Sequence, residues 1–317
     1  MKLLLIGCGA VGLSVASALF AAGEAPDLVA RGETRKALET NGITRTGALG
    51  EAFVPPERLR LYDEIRQTPG GYDAVLVTVK TTASAAVAAR LAAHPALLAP
   101  EGRIVLLQNG FGTERPFLPG FEKERFVQAT ISIGFCRPAP SVSEVTVFSA
   151  PIRLGSLYGG DAGIRPLAQT IAAGGIPCLA EAEIGKSVWA KMLYNCTLNA
   201  LGAVLGANYG MLADSPDAVA LMKQLIGETF AVMQVLGFST YWPDAAAYER
   251  AFFEKILPPT RAHRPSTLQD VEARRKTEID TLNGAVAEYG EAHGVDVPCS
   301  RMLASLIRAK ESMYPAG

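Results

Sequence analysis

The sequence predicts an α/β protein in two parts: a doubly wound, mostly parallel sheet over residues 1–182 and a mostly α-helical domain over residues 183–317. Three observations predict it. Apolar runs of strand length alternate with alanine-rich helical stretches through the first half, an order that builds parallel sheets with right-handed crossovers. The chain opens on a strand, a glycine turn and a helix. From about Glu183 onward only long helical patterns follow.

The opening is the most specific element. Leu3–Ile6 leads into Gly7-x-Gly9-x-x-Gly12 and then the helical stretch Leu13–Ala22. Gly7 lets the chain turn sharply, Gly9 lets backbone N–H groups approach a pyrophosphate, and Gly12 lets the helix sit close to the strand. The helix N-terminus adds donors and partial positive charge. Gly7, Cys8, Gly9, Ala10, Val11 and Gly12 thus form a candidate dinucleotide cradle, and the first domain reads as Rossmann-type. The same uncharged run, Leu3–Gly23, superficially suggests a signal peptide or a membrane span. Its charged flank is only two residues long, Cys8 comes too early, and a second strand follows at once, so that reading is set aside.

The remaining elements follow in order. Asp27–Ala30, Ala74–Val79 and Arg103–Leu107 read as buried parallel strands, separated by helical Thr34–Thr40 and Ser84–Ala93. Phe126–Phe135 and Glu144–Leu154 read as antiparallel strands that extend the sheet, joined by the proline-stiffened loop Cys136-Arg-Pro-Ala-Pro-Ser141. Asp161–Ala173 is helical and Ile176–Ala180 a last strand. The second domain is read as helices over Glu183–Leu205, Pro216–Leu236, Asp244–Lys255, a region from Thr267 to His293, and Ser300–Ser312.

Composition narrows the function classes. A net charge of -1 gives no electrostatic case for nucleic acid or a membrane surface. Five scattered cysteines, with no CxxC or Cys/His cluster, argue against a disulfide framework or a zinc site. The chain reads as a cytoplasmic protein acting on small molecules, with a homodimer left open.

Candidate site residues lie at strand ends and on one helix. Arg31 follows the second strand, where an NAD-specific fold usually carries an acid for the ribose 2′-OH. With Arg35 and Lys36 it outweighs Glu33 and points to NADP(H), since a guanidinium forks onto a 2′-phosphate. Val79-Lys80 and Gln108-Asn109-Gly110 end two further strands, where ligands bind in open α/β sheets; a surface lysine and a turn-forming Asn-Gly are the ordinary alternatives. Lys191, Asn195 and Asn199 are spaced i, i+4, i+8 on a largely apolar helix, a polar stripe about 12 Å long. Buried polar groups need partners, and a ligand or an internal hydrogen-bond network would supply them. Ser266-Thr-Leu-Gln269 and Thr277-x-x-Asp280 resemble capping boxes. A straight helix would hold Ser266 and Glu278 about 18 Å apart, so service to one small ligand predicts a break near Ala273–Lys276.

Together these residues resemble the ketopantoate reductases (2-dehydropantoate 2-reductases) over nearly the whole chain. The likeness rests on the glycine motif, Arg31, Val79-Lys80, Gln108-Asn-Gly-x-Gly112, Trp189-x-Lys191-x-x-x-Asn195-x-x-x-Asn199, Ser266-Thr-Leu-Gln-Asp270 and Thr277-Glu-Ile-Asp-x-x-Asn-Gly284. The resemblance implies NADPH in the first domain and a 2-oxo acid in an interdomain cleft, as in pantothenate and coenzyme A biosynthesis. It implies Lys191 as general acid and Glu278 as a second catalytic residue that helps hold the reactive end and binds the cofactor. Asn195, Asn199 and Ser266 would hold the substrate, and Lys80 and Asn109 would sit at the cofactor–substrate junction, with Gly110 beside them. The region Val145–Gly155 departs from the His- and Gly-rich strand that members often carry. Two other readings stand beside this one: reduction of a different 2-oxo acid, and a non-enzymatic NADPH-binding sensor.

Overall fold

The run Leu3–Ile6 is buried on both faces and forms β1 at the centre of the larger sheet. The computed structural model describes residues 1–94, 96–159 and 163–315. Packing divides the chain into two units, Met1–Asn109 with Thr113–Ile184 and Gly110–Gly112 with Gly185–Gly317.

In the first unit β1 leads to α1 (Ala10–Ala21), β2 (Asp27–Val29), α2 (Gly32–Asn41), β3 (Ile43–Gly47), β4 (Ala52–Val54), β5 (Arg60–Tyr62), β6 (Tyr72–Val77), α3 (Ser84–Ala92) and β7 (Leu98–Leu106). Then come β8 (Phe126–Thr130), β9 (Ile133–Ala139), β10 (Val142–Phe148), β11 (Ile152–Gly155), α4 (Ile164–Ala173) and β12 (Cys178–Ala180). The eight-stranded sheet runs β12-β11-β8-β7-β6-β1-β2-β5. Its pairs are parallel except β11 against β8. Strand order reverses at β1, with β2 on one side and β6 on the other, the switch point at which ligands bind in Rossmann-type folds. Alternation along the strands builds two cores. Leu3, Leu5, Leu28 and Leu76 face one side with α1 and α4. Leu4, Ile6, Val75 and Val77 face the other with α3.

The smaller sheet corrects the sequence reading. Phe126–Phe135 and Glu144–Leu154 each split in two: β8 and β11 join the large sheet, whereas β9 and β10 form a hairpin in a separate sheet ordered β4-β3-β10-β9. β8 is buried at every residue and suits a central strand, but most of β9 and β10 is half-buried or exposed. Such strands belong to a one-sided sheet. This sheet packs on the face of α1 away from β1, so α1 is buried all round, with Ser14 and Ser17 fully enclosed. Ser143 of β10 fastens it there through Ala10 O (2.7 Å) and Ser14 Oγ (2.8 Å). Of the expected helix Asp161–Ala173, Asp161 and Ala162 lie outside the described residues.

The second unit is helical: α5 (Ile184–Leu205), α6 (Tyr209–Asp214), α7 (Pro216–Val235), α8 (Ala245–Ala251), α9 (Ser266–Glu272), α10 (Asn283–Ala292) and α11 (Pro298–Ser312). α8 runs into a π turn at Phe252–Ile256. Side-chain caps from Asn208, Ser215 and Asp244 start α6, α7 and α8. α11 is capped from a distance: the buried Glu228 carboxylate of α7 accepts from Cys299 N and Ser300 N, both at 2.8 Å. Among the described residues no helix is long and apolar enough to cross a membrane, and no cluster of His, Cys, Asp or Glu could hold a metal.

Candidate active site

In the first unit, the turn after β1 is shaped by its glycines in different ways. Gly7 has φ +104°, and a Cβ there would lie 2.8 Å from Val79 N. A Cβ on Gly12 would overlap Gly7 O and lie 2.6 Å from Thr78 Oγ1. These two therefore serve the close packing of the strand and helix. Gly9, the N-cap of α1, meets nothing within 4 Å. The protein does not require a glycine there, so the open backbone suits close approach by a ligand. No side chain caps α1 and no acid occupies its first turn. This end offers N–H donors and a positive dipole to an anion. Cys8 is buried, donates to Val29 O at 3.8 Å, and burial pushes its thiol up to about 12. It is thus a packing residue, with only its backbone at the turn. Half-buried Ala10 and Val11 complete that turn.

Arg31 is exposed at the N-cap of α2, and its Nε donates to Asp63 O at 2.7 Å. Arg35 is engaged otherwise, pairing with Glu39 at 2.8 Å and Asp63 at 2.7 Å. Lys80 is exposed just beyond β6 and Asn109 half-buried beyond β7. Gln108 ties these two loops together, its Nε2 donating to Val79 O and Ser84 Oγ, both at 2.8 Å.

In the second unit, α5 is one unbroken helix, so Lys191, Asn195 and Asn199 share a face. Trp189 anchors the helix in an aromatic cluster with Phe111 (4.7 Å) and Phe238 (6.0 Å). Gly110 and Phe111 pack on the turn Ile279–Thr281: Phe111 N donates to Thr281 O at 2.9 Å, and Gly110 (φ +109°) leaves no room for a Cβ beside Thr281. Glu278 heads that turn and is half-buried. Its charge reaches Lys191. Burial pushes the Lys191 ammonium down to about 8, and the Glu278 carboxylate opposes that shift.

Past the other end of the stripe α5 meets Pro265, the residue before Ser266. A Cβ on Gly202 of α5 would lie 2.6 Å from the Pro265 ring, so the start of α9 lies against α5 about one turn beyond Asn199. Ser266 is exposed there. The expected break is present. α9 ends at Glu272, Arg274 takes a left-handed φ of 52°, and Arg275 N bonds Asp270 O (2.8 Å) while Arg274 N bonds Val271 O (3.0 Å). This is a Schellman stop with arginine where glycine is usual. It lets one segment present Ser266 near Asn199 and Glu278 near Lys191.

The capping boxes are corrected. The N-cap of α9 is Pro265, without a side-chain bond, and Gln269 Nε2 turns back to Arg264 O at 3.1 Å. The Pro265–Ser266 step starts the helix one residue early and leaves the serine hydroxyl outside the cap. Thr277 Oγ1 does accept from Ile279 N (3.3 Å), but Asp280 pairs with Arg308 at 2.7 Å instead of reaching back.

Sequence reading missed two residues beside these groups. Tyr209 Oη donates to Asn199 Oδ1 at 3.0 Å. Arg137 of β9 donates to Thr34 Oγ1, in the first turn of α2, at 2.7 Å. No motif marks either one, because both act across the fold and not along the chain.

The family model Ketopantoate reductase PanE/ApbA matches residues 3–159, and Ketopantoate reductase PanE/ApbA C terminal matches residues 183–311. A 2-dehydropantoate 2-reductase of Aquifex aeolicus (strain VF5) is 31% identical over 314 residues, 98% of this chain and 97% of that protein. A PanE/ApbA family ketopantoate reductase from Ralstonia eutropha JMP134 superposes with a TM-score of 0.84 at 27% identity, covering 98% of this chain and 99% of that one. A D-mandelate dehydrogenase solved with NADH and anilino(oxo)acetate shares the fold, with a TM-score of 0.83 at 23% identity over 98% and 99% of the two chains.

Proposed function

Because the chain belongs to the ketopantoate reductase family, we propose that it reduces 2-dehydropantoate to pantoate with NADPH, the step known from pantothenate biosynthesis. Residues 1–182 are read as the cofactor domain and 183–317 as the substrate domain. The observation that supports the chemistry most is Lys191, desolvated to a pKa of about 8 with the Glu278 carboxylate opposing the shift, on the helix face that carries Asn195 and Asn199.

The cradle Gly7–Gly12 suits a pyrophosphate, and Arg31 suits a 2′-phosphate in place of the acid that would select NADH. Lys80, Asn109, Gly110 and Glu278 are assigned to the nicotinamide end. When bound, NADPH supplies the hydride to the carbonyl carbon of the oxo acid. The residues of the chain handle the charge that follows. Lys191 Nζ, protonated at pH 7, stabilises the oxygen as it becomes negative and donates a proton to it. Glu278 keeps that ammonium protonated despite burial. Asn195, Asn199 and Ser266 orient the oxo acid, with the Asn199 amide turned so that Nδ2 is presented for donation.

The test is NADPH absorbance with purified protein and a panel of 2-oxo acids. Highest kcat/KM for 2-dehydropantoate supports the reading. Preference for another oxo acid replaces the substrate, and no turnover with any of them leaves a nucleotide-binding protein instead.

A further inference from the structure

We propose that Arg137 is a second arginine for the 2′-phosphate of the cofactor, reaching it from the β9–β10 hairpin on the side opposite Arg31. The proposal rests on NADPH being the cofactor. Arg137 belongs to Cys136-Arg-Pro-Ala-Pro-Ser141, a segment with no part in the chemistry assigned so far.

Its position comes from the smaller sheet. Ser143 pins β10 to the first turns of α1 through Ala10 O and Ser14 Oγ, which brings the hairpin beside the glycine turn. From there Arg137 Nη2 donates to Thr34 Oγ1 at 2.7 Å and to Pro140 O at 2.6 Å. Thr34 is three residues past Arg31, in the first turn of α2. The positive charge of Arg137 is also felt at Cys8, between Gly7 and Gly9, where it opposes the effect of burial on the thiol. One guanidinium therefore lies between the pyrophosphate turn and the start of α2. In a fold of this type the adenosine ribose spans that interval.

The charge balance distinguishes Arg137 from an ordinary surface arginine. Its neighbour Arg35 is neutralised by Glu39 and Asp63. Among the described residues, Arg31 and Arg137 bond only neutral oxygens: Asp63 O for the first, Thr34 Oγ1 and Pro140 O for the second. Two guanidinia against the carboxylate of Glu33 in the first turn of α2 leave an excess of positive charge there, which an anion between them would relieve. A phosphate monoester dianion offers three acceptor oxygens, enough for two planar forks at once. A 2′-hydroxyl offers no charge to either. Pro138 follows Arg137 in β9 and Pro140 opens the turn to β10, so both restrict the backbone there, and the bonds to Thr34 Oγ1 and Pro140 O hold the guanidinium.

The experiment measures dissociation constants of NADPH, NADH, 2′,5′-ADP and 5′-AMP for the full chain, for Arg137→Ala and Arg137→Gln, and for Arg31→Ala. The proposal predicts that both Arg137 variants lose roughly tenfold or more in affinity for NADPH and 2′,5′-ADP, as for a lost charge-assisted bond, with NADH and 5′-AMP changed less than about twofold. A loss shared equally by all four ligands makes Arg137 a hairpin fastening and overturns the proposal. Discrimination erased by Arg31→Ala but intact in both Arg137 variants overturns it too, while leaving the NADPH reading standing. A wild-type chain that binds NADPH and NADH alike, and 2′,5′-ADP no better than 5′-AMP, removes the cofactor reading and the proposal with it.

Discussion

Tyr209 Oη donates to Asn199 Oδ1 across 3.0 Å in the interior of the helical unit. Tyr209 is 2% exposed and Asn199 4%. The tyrosine ring is held edge-on to Tyr194 at 5.8 Å and tilted against His263 at 5.1 Å. Burial raises the Tyr209 pKa, so its hydroxyl stays a donor. The asparagine oxygen is thereby engaged, and the group it has left for a ligand is Nδ2, which suits an oxygen acceptor on an oxo acid.

Tyr209→Phe removes that orientation while keeping the ring packing. One neutral hydrogen bond is worth about 0.5–1.5 kcal/mol, so KM for the oxo acid should rise by roughly two- to tenfold. NADPH affinity should not move. An unchanged KM would assign Tyr209 to the fold alone.

The Lys191–Glu278 relationship sets a pH profile. A protonated Lys191 is the acid, so kcat should fall as pH rises through about 8. Glu278 opposes the downward shift, so Glu278→Gln should move this alkaline limb to lower pH. A limb that stays in place would mean another group governs it. The same group also affects stability. An unfolded lysine titrates near 10.4, above the folded value of about 8. Between those values the unfolded chain binds more protons, so this lysine's contribution makes stability rise with pH across that window. Below it, the cost of burying the ammonium is fully present.

Two glycines of the cradle should respond differently to alanine. At Gly12 the new methyl group would overlap Gly7 O, so the turn must open and Tm should fall. At Gly9 there is space within the protein, so Tm should stay near wild type while NADPH binding weakens. Loss of Tm at Gly9 would make that residue structural.

Glu228 offers a stability test away from the site. Glu228→Gln removes the charge from a carboxylate that bonds Cys299 N and Ser300 N at the start of α11. The loss should be about 1.5–3 kcal/mol of unfolding free energy, as for charge-assisted bonds, with kcat unchanged. A denaturant midpoint equal to wild type would contradict this.

Local pattern made part of this legible. The glycine turn after Leu3–Ile6 and the stripe Lys191–Asn195–Asn199 are each written within a dozen residues, whereas the stop before Glu278 follows from a shared ligand and has Arg274 where a glycine would mark it. The smaller sheet is not written locally. β3 reads Ile-Thr-Arg-Thr-Gly, and its inward Arg45 is buried with Nη1 bonded to Gly174 O at 3.2 Å. A buried arginine whose bond is made 129 residues away does not show in an alternation of apolar and polar types. The Ser266 cap failed for a related reason: Pro265 already supplies a fixed φ from which the helix starts. Tyr209 and Arg137 were missed because their partners come from tertiary packing.

The most direct test of the account is the single-turnover and steady-state rate of Lys191→Ala with NADPH and 2-dehydropantoate, both saturating. If Lys191 donates the proton, kcat should fall by about two to four orders of magnitude, the range for a positioned acid, with NADPH affinity near wild type. Lys191→Arg should restore little, since a guanidinium does not release its proton at working pH. A near-normal kcat in Lys191→Ala would contradict the account and make Lys191 a structural residue of α5.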